Sequence, residues 1–154
     1  MRIRFAKPED KSQILALLDE LISEVNKKMG SSPNHEGDEK RHALFDEMLK
    51  RDDVKIFVAE EDGTLVGLSE LFIVPILRRG YYQGIIESFV ITENRRGQGI
   101  GSALLSEIKK FCKDQDFKVI KVASGNELTD AHRFYEKHGA KFTEKFFRID
   151  LQRD

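Results

Sequence analysis

The residues with the most chemical content lie in one run, Glu93-Asn94-Arg95-Arg96-Gly97-Gln98-Gly99-Ile100-Gly101-Ser102. Glycines at 97, 99 and 101 let the backbone take left-handed dihedrals and come close to a ligand. The run follows a β-branched, aromatic stretch and precedes a helical pattern. A helix start offers N–H groups without intrahelical partners at the positive end of the dipole. Together these features form an anion cradle suited to a pyrophosphate, and Arg95 and Arg96 add positive charge. A purely structural turn would use the same glycines. Two nucleotide readings fail. No Gly-Lys-Ser/Thr triplet occurs, and Gly99-Ile100-Gly101 continues as Ser102, Ala103 and Leu104 without the third glycine of a dinucleotide fingerprint.

Glu87 is the second chemical candidate. Flanked by Ile85, Ile86 and Phe89 in a strand, its carboxylate would be partly desolvated, with a pKa raised toward use as a proton acceptor, directly or through water. It equally fits a strand glutamate that reaches solvent or a structural arginine. Cys112, at helical spacing with Ile108 and Phe111, reads as a small core residue without an activating partner. As the one cysteine, it excludes an intramolecular disulfide and a Cys-rich zinc site. His35, Glu39 and His42 could share a helical face as metal ligands, but Gly37 interrupts them, and a solvated face is the better reading. No metal is expected. His132 and His138 lie six apart and cannot face each other on one helix.

These groups need elements to position them. Arg2–Ala6 alternates as a short strand, and Pro8 opens a helix with Ile14, Leu17, Leu18, Leu21, Ile22 and Val25 on one face. Residues 30–38 read as loop. A second helix to Lys50 carries Leu44, Phe45, Met48 and Leu49 as its stripe. Strands Val54–Glu60 and Leu65–Val74 flank the hairpin signal Glu61-Asp62-Gly63-Thr64. Pro75–Tyr82 reads as an irregular connection and Gly84–Thr92 as a central strand. Gly97–Lys113 is a helix facing inward with Ile100, Leu104, Leu105, Ile108, Phe111 and Cys112. Phe117–Ser124 is a strand. Thr129–His138 is a helix that presents Ala131, Phe134 and Tyr135 and is capped by Gly139, and Lys141–Leu151 returns as extended structure. The order β-α-α-β-β-β-α-β-α-β predicts an α/β mixed sheet with helices on both faces and a right-handed parallel unit late in the chain.

Composition sets the outer limits. The 154 residues suit one domain, residues 1–154, able to bury a core. Charge nearly cancels, 26 basic against 27 acidic residues, which excludes a globally basic nucleic-acid binder. Arg78-Arg79 with Tyr81-Tyr82 are too few for nucleic-acid contact. Residues 31–70 hold five basic and eleven acidic groups, so a cationic ligand would prefer the earlier half of the chain and an anionic one the later half. A solvated surface with random clustering is the plainer account. The start MRIRFAKPED shows no apolar signal region, and the greasy stretch Leu71–Leu77 is broken by Pro75 and followed by Arg78 and Arg79. A cytoplasmic protein without membrane attachment is the expectation.

The pattern R-x-x-G-x-G at Arg96–Gly101, after a strand and opening a helix, resembles the acyl-CoA-binding motif of the GNAT superfamily of N-acetyltransferases. The segment NELTDAHRFYEKHGAKF resembles the same family's N-x(4)-A-x-x-F-Y-x-x-x-G-F block, with Gly-Ala-Lys-Phe at 139–142 where Gly-Phe is usual. The resemblance implies a mostly antiparallel mixed sheet splayed between Gly84–Thr92 and Phe117–Ser124, with pantetheine between those strands. It implies the pyrophosphate of acetyl-CoA on N–H groups from Arg96 to Ser102, including Gly97, Gln98, Gly99, Ile100 and Gly101. The backbone of Phe89, Val90 and Ile91 would stand beside the thioester, one N–H polarising the acetyl carbonyl. Tyr135 matches the tyrosine assigned as general acid toward the CoA thiolate, although it also reads as a packed aromatic. Asn126 matches a residue near the pantetheine arm, and Phe134 reads as core or cofactor packing.

The activity implied is acetyl transfer to the primary amine of a small molecule or peptide, by direct attack in a ternary complex, with Glu87 accepting the proton. The acceptor would be chosen by residues 26–45, by Pro75–Gln83 and by the last extended stretch; the acidic excess tilts it toward a cation. The competitors are a non-catalytic module that senses acyl-CoA and a transferase of another acyl group. An interaction domain without cofactor would leave the Arg96–Gly101 pattern unused. A homodimer is compatible with the resemblance.

Overall fold

The computed structural model describes residues 1–30, 37–149 and 151. Strand β1 (Arg2–Phe5) leads through a 3-10 turn (Pro8–Asp10) into helix α1 (Lys11–Met29), and helix α2 spans Asp38–Met48. Strands β2 (Val54–Glu61), β3 (Thr64–Ile76) and β4 (Tyr81–Ile91) follow, then helix α3 (Ile100–Asp114), strand β5 (Val119–Val122) and helix α4 (Thr129–Lys137). The sheet runs β1-β2-β3-β4-β5, antiparallel throughout except for the parallel β4–β5 pair.

Each face of the sheet carries its own core. On one face Ile14 and Leu17 of α1 and Phe45 and Met48 of α2 pack on Val54, Ile56, Val58, Leu68 and Val90. On the other, Leu104, Leu105, Ile108 and Cys112 of α3 pack on Phe57, Leu71 and Ile86, with Phe134 of α4 alongside. Ile86 and Val90 lie four apart on β4 yet serve opposite faces. The register explains this: Leu71 pairs with Ile86 but Glu70 pairs with Ser88, so Glu87 is an extra residue in a β-bulge that reverses the alternation. Between β2 and β3, Asp62 (φ +48) and Gly63 (φ +79) form the two-residue left-handed turn that matches strand twist.

Three expectations change. The Pro75–Tyr82 connection is not irregular: Pro75 pairs with Tyr82 and Ile76 with Tyr81, and only Leu77–Arg79 form a turn. β2 begins opposite Phe72, so beyond that point β3 has a free edge and tolerates a proline. Leu44 is exposed, because the buried face of α2 is set by Phe45 and Met48, with Leu49 packed beside them. No strand follows α4 among the described residues, so residues 141–149 and 151 do not return to the sheet. Phe142, Phe146, Phe147, Ile149 and Leu151 stay exposed there instead of packing on it. Among the described residues, no helix is long and apolar enough to cross a membrane.

Candidate active site

The glycine run is built as a cradle. Thr92 N–H donates to Val66 O at 3.0 Å and fixes where the chain leaves the sheet. Gly97 and Gly99 then take φ of +73° and +82°, and Gly99 caps α3. A Cβ on either would meet nothing within 4 Å, so the dihedral requires glycine and the loop stays open on that side. The first bond into α3 runs from Ala103 N–H to Gly99 O at 3.0 Å, which leaves the N–H groups of Ile100, Gly101 and Ser102 at the helix mouth. Ile100 buries its side chain under the loop, and Gln98 Nε2 donates to Asn94 O at 3.3 Å. At Gly101 a Cβ would stand 3.4 Å from the Phe134 ring and 3.6 Å from Ile91, so this glycine admits close packing. Ser102 Oγ lies 3.0 Å from His138 Nε2, and His138 Nδ1 lies 2.7 Å from Phe134 O. A carbonyl only accepts, so Nδ1 carries the hydrogen and, in neutral His138, the Ser102 hydroxyl donates to Nε2.

The two arginines turn away from the cradle. Arg95 pairs with Glu61 at the end of β2. Arg96 donates from Nε to Ile91 O at 2.9 Å and from Nη2 to Glu24 of α1 at 2.6 Å. Each charge is offset by a carboxylate, so the positive character of the cradle comes from main-chain N–H groups and the helix dipole. Glu24 also accepts from Lys28 at 2.9 Å, and Lys28 lies 3.8 Å from Asp130 of α4. Burial alone would raise the Glu24 carboxyl; the bonds from Arg96 and Lys28 outweigh it and hold it below the ordinary range. This network ties α1 to the glycine loop and to α4.

Beside the cradle the sheet opens. β4 and β5 pair only from Gln83 to Ile86 against Val119 to Val122, so among the described residues Glu87–Ile91 has no strand on its β5-side edge. Phe89 points to the α3 side, its ring 5.5 Å from Phe134 and 6.1 Å from Tyr135. Burial pushes the Tyr135 phenol up to about 12. Val90 instead fills the α1-side core. Asn126 is exposed in the turn between β5 and α4, and Met29 of α1 packs against Gly125 of the same turn.

On the α1 side of the bulge stand Glu87, exposed, and Glu70, half-buried. Ser88 Oγ donates to Glu70 Oε2 at 2.5 Å. Burial raises the Glu70 carboxyl; the Ser88 bond lowers it in part, and the charge of Glu87 raises it again. Glu87, beside Glu70, and Tyr135, beside Phe89, therefore stand on opposite faces of β4. Glu70, Ser88 and Glu24 escaped the sequence reading, which weighed His138 only as a partner of His132 and not beside Ser102. Glu70 alone had a signal, as a carboxylate at a core-facing position between Leu68 and Phe72. His35 lies outside the described residues, and with it the His35/Glu39/His42 face.

Comparison with known proteins agrees with this architecture. The model of the acetyltransferase (GNAT) family matches residues 18–140. A glucosamine 6-phosphate N-acetyltransferase of Trypanosoma brucei brucei is 34% identical over 99 residues, 63% of this chain and 65% of that protein, just under two thirds of its length. An aminoalkylphosphonate N-acetyltransferase of Salmonella typhimurium is 27% identical over 139 residues, 90% of this chain and 84% of that protein. The structure of an Agrobacterium tumefaciens protein assigned as an acetyltransferase superposes with a TM-score of 0.83 at 29% identity, over 98% of this chain and 100% of that one.

Proposed function

Because the chain belongs to the GNAT family of acetyltransferases, we propose that it moves an acetyl group from acetyl-CoA to the primary amine of a small molecule, by direct attack within a ternary complex. Family membership implies acetyl-CoA as the donor, which supplies the acetyl group as a thioester and departs as the thiol. The observation that carries the reading is the open cradle at Gly97 and Gly99, placed at the mouth of α3 and beside the gap between β4 and β5. N–H groups of Ile100, Gly101 and Ser102 hold the diphosphate. The free edge of β4 from Glu87 to Ile91 pairs with the pantetheine amides, and an N–H there stabilises the oxyanion of the acetyl carbonyl. Asn126 stands at the far side of the pantetheine arm.

The amine enters from the α1 side, where Glu70 and Glu87 attract an ammonium group. Glu87, directly or through water, takes the proton that must leave before the nitrogen attacks. A nitrogen–carbon bond forms, the carbon–sulfur bond breaks, Tyr135 gives its phenolic proton to the sulfur, and the second proton on the nitrogen leaves to solvent as the amide forms, with Tyr135 regaining a proton from water. The two named relatives act on small-molecule amines, which supports that class over a peptide.

The test is thiol release from acetyl-CoA against a panel of amino sugar phosphates, aminoalkylphosphonates, polyamines and peptide N-termini, beside calorimetric titration with CoA. Saturable release with at least one small amine is expected. CoA binding without release for any amine would leave a sensing module. Faster release from succinyl-CoA would mean another acyl group, and absence of CoA binding would end the proposal.

A further inference from the structure

His138 closes the last turn of α4 and is held by α3 at two places. Its Nε2 lies 3.0 Å from Ser102 Oγ, and its main-chain oxygen accepts from Lys109 Nζ at 2.6 Å. Ser102 and Lys109 sit about two turns apart on α3. The Phe134 ring backs the imidazole, 4.5 Å between centroids. Ser102 and His138 are both half-buried. Ser102 is also part of the cradle. Its N–H lies ahead of the first helical bond, and a helical Cα–Cβ bond tilts toward the N-terminus, so its hydroxyl leans to the mouth of α3. Nδ1 of His138 sits 2.7 Å from Phe134 O, which only accepts, so Nδ1 keeps its hydrogen in either charge state. The nitrogen left to gain a proton is Nε2, the atom that touches Ser102.

We propose that His138 is a positioning residue for the cofactor: it takes up a proton at Nε2 as CoA binds and thereby turns the Ser102 hydroxyl toward the diphosphate. The inference rests on the cradle holding that group. With His138 neutral, Ser102 commits its single hydroxyl hydrogen to Nε2 and offers the mouth of α3 only lone pairs, which repel an anion. With a proton added from solvent, Nε2–H donates to Oγ instead. The hydroxyl hydrogen is then free to bond a diphosphate oxygen, and a positive charge stands directly behind it. Arg95 and Arg96 are committed to Glu61 and Glu24, so this charge supplies what the arginines of the loop do not. Lys109 of α3, on the main-chain oxygen of His138, opposes the second proton by its like charge, and the carbonyl end of α4 favours it. Glu136 and Lys137, the preceding residues of α4, are exposed and opposite in sign. Tyr135, whose main-chain oxygen accepts from His138 N–H, has its phenol pushed up to about 12 and stays neutral. The arriving diphosphate tips this balance. Linkage makes the two events reciprocal: if the complex holds the proton more tightly, protonated chain holds CoA more tightly. Affinity is therefore full at low pH and falls as pH rises through the range in which histidine titrates, until the complex also gives up its proton.

The test uses 3′-dephospho-CoA, because the 3′-phosphate of CoA itself titrates near about pH 6 and the diphosphate does not. Calorimetry at about pH 7.5, in two buffers of different ionisation heat, counts the protons taken up on binding. Net uptake is expected, with affinity falling about tenfold from about pH 5.5 to about pH 8.5. Ring NMR gives a second reading on the unaltered chain. The histidine resonance that is missing in His138→Gln should titrate about one pH unit higher with the nucleotide bound. His138→Gln carries an amide that can donate to Oγ at any pH, so it should bind, take up no proton and show a flat affinity profile. Ser102→Ala should flatten the profile as well, and circular dichroism checks that both variants fold. Binding without proton uptake, uptake that persists in His138→Gln, or a ring that titrates alike with and without nucleotide would each overturn the inference and leave the cradle standing. Absence of binding by the unaltered chain at every pH would remove the cradle, and this inference with it.

Discussion

Tyr135 and Glu70 are both shifted by burial, with different consequences. The Tyr135 phenol, pushed up to about 12, holds its proton at neutral pH and stands ready to donate it. Tyr135→Phe keeps the ring against Phe89 and Phe134, so the fold should be retained, while kcat falls about 10–100-fold with the KM for acetyl-CoA nearly unchanged. Steady-state kinetics decide this, and unchanged turnover would remove the acid role. Glu70 is raised by burial and by Glu87, against the pull of Ser88. Above its ordinary value, and up to the raised one, the folded chain binds the proton more tightly than the unfolded chain. Stability is therefore full at low pH and falls as pH rises through that window. Glu70→Gln keeps the acceptor for Ser88 and removes the buried charge. It should raise Tm by about 2–4 °C at neutral pH and flatten the pH dependence of melting; a lower Tm would contradict this account. Strand position and motif single out Glu87 and Tyr135 as candidates in the sequence. The core-facing position of Glu70 was visible there too, but its pairing with Ser88 depends on a bulge that no pattern shows.

At the scale of elements, the loop before α3 and the corner before α1 make separate demands. At Gly99, φ is +82° with nothing in reach of a Cβ. Gly99→Ala should cost about 1–2 kcal/mol and, by tilting the first N–H groups of α3, weaken CoA binding at least about tenfold. Calorimetry and melting curves measure the two effects separately, and full CoA affinity in this variant would remove the cradle from the site. At the corner, buried Asp10 accepts from Arg4 at 2.6 and 2.9 Å and from Lys7 N–H at 2.8 Å, and Arg4 also reaches Glu60. The Arg4 hydrogen bonds hold the Asp10 carboxyl below its ordinary value against the cost of burial. That contribution is present above the unfolded pKa and lost as pH falls through the folded one. Asp10→Ala should destabilise by about 2–4 kcal/mol, read from denaturant unfolding; a loss below half that would show Glu60 carrying Arg4 alone. The helices were legible from periodicity, since one buried face dictates each, and the central strands from β-branched and aromatic runs, since both faces of the sheet are covered. The turn at Leu77–Arg79 was not, because Pro75 signalled a break and only the end of β2 opposite Phe72 makes a proline tolerable there. Lys141–Leu151 was read as returning in extended structure, and the sequence alone does not show that no ladder receives its described residues.

Across the whole molecule, charge separates the two approaches to the cleft. The Glu70–Glu87 pair stands on the side where the amine would enter, whereas Arg95 and Arg96 are spent on Glu61 and Glu24. A polycationic acceptor is thus drawn by a field that added salt screens within about 8 Å at physiological strength. The two named relatives act on amines that carry a phosphate or phosphonate, and such a group would meet repulsion from the same wall. Salt therefore sorts the acceptors by sign. With a polyamine, the KM should rise about 3–10-fold between low and physiological ionic strength at fixed, saturating acetyl-CoA. With an aminoalkylphosphonate it should stay level or fall, because screening relieves repulsion at the remote group. Turnover at saturating acceptor should hold steady in both series, since the proton transfers proposed for Glu87 and Tyr135 occur at contact range, where screening is weak. A polyamine KM that ignores salt would show that the acidic wall plays no part in choosing the acceptor, and selection would then rest on the shape of the cleft between α1 and β4.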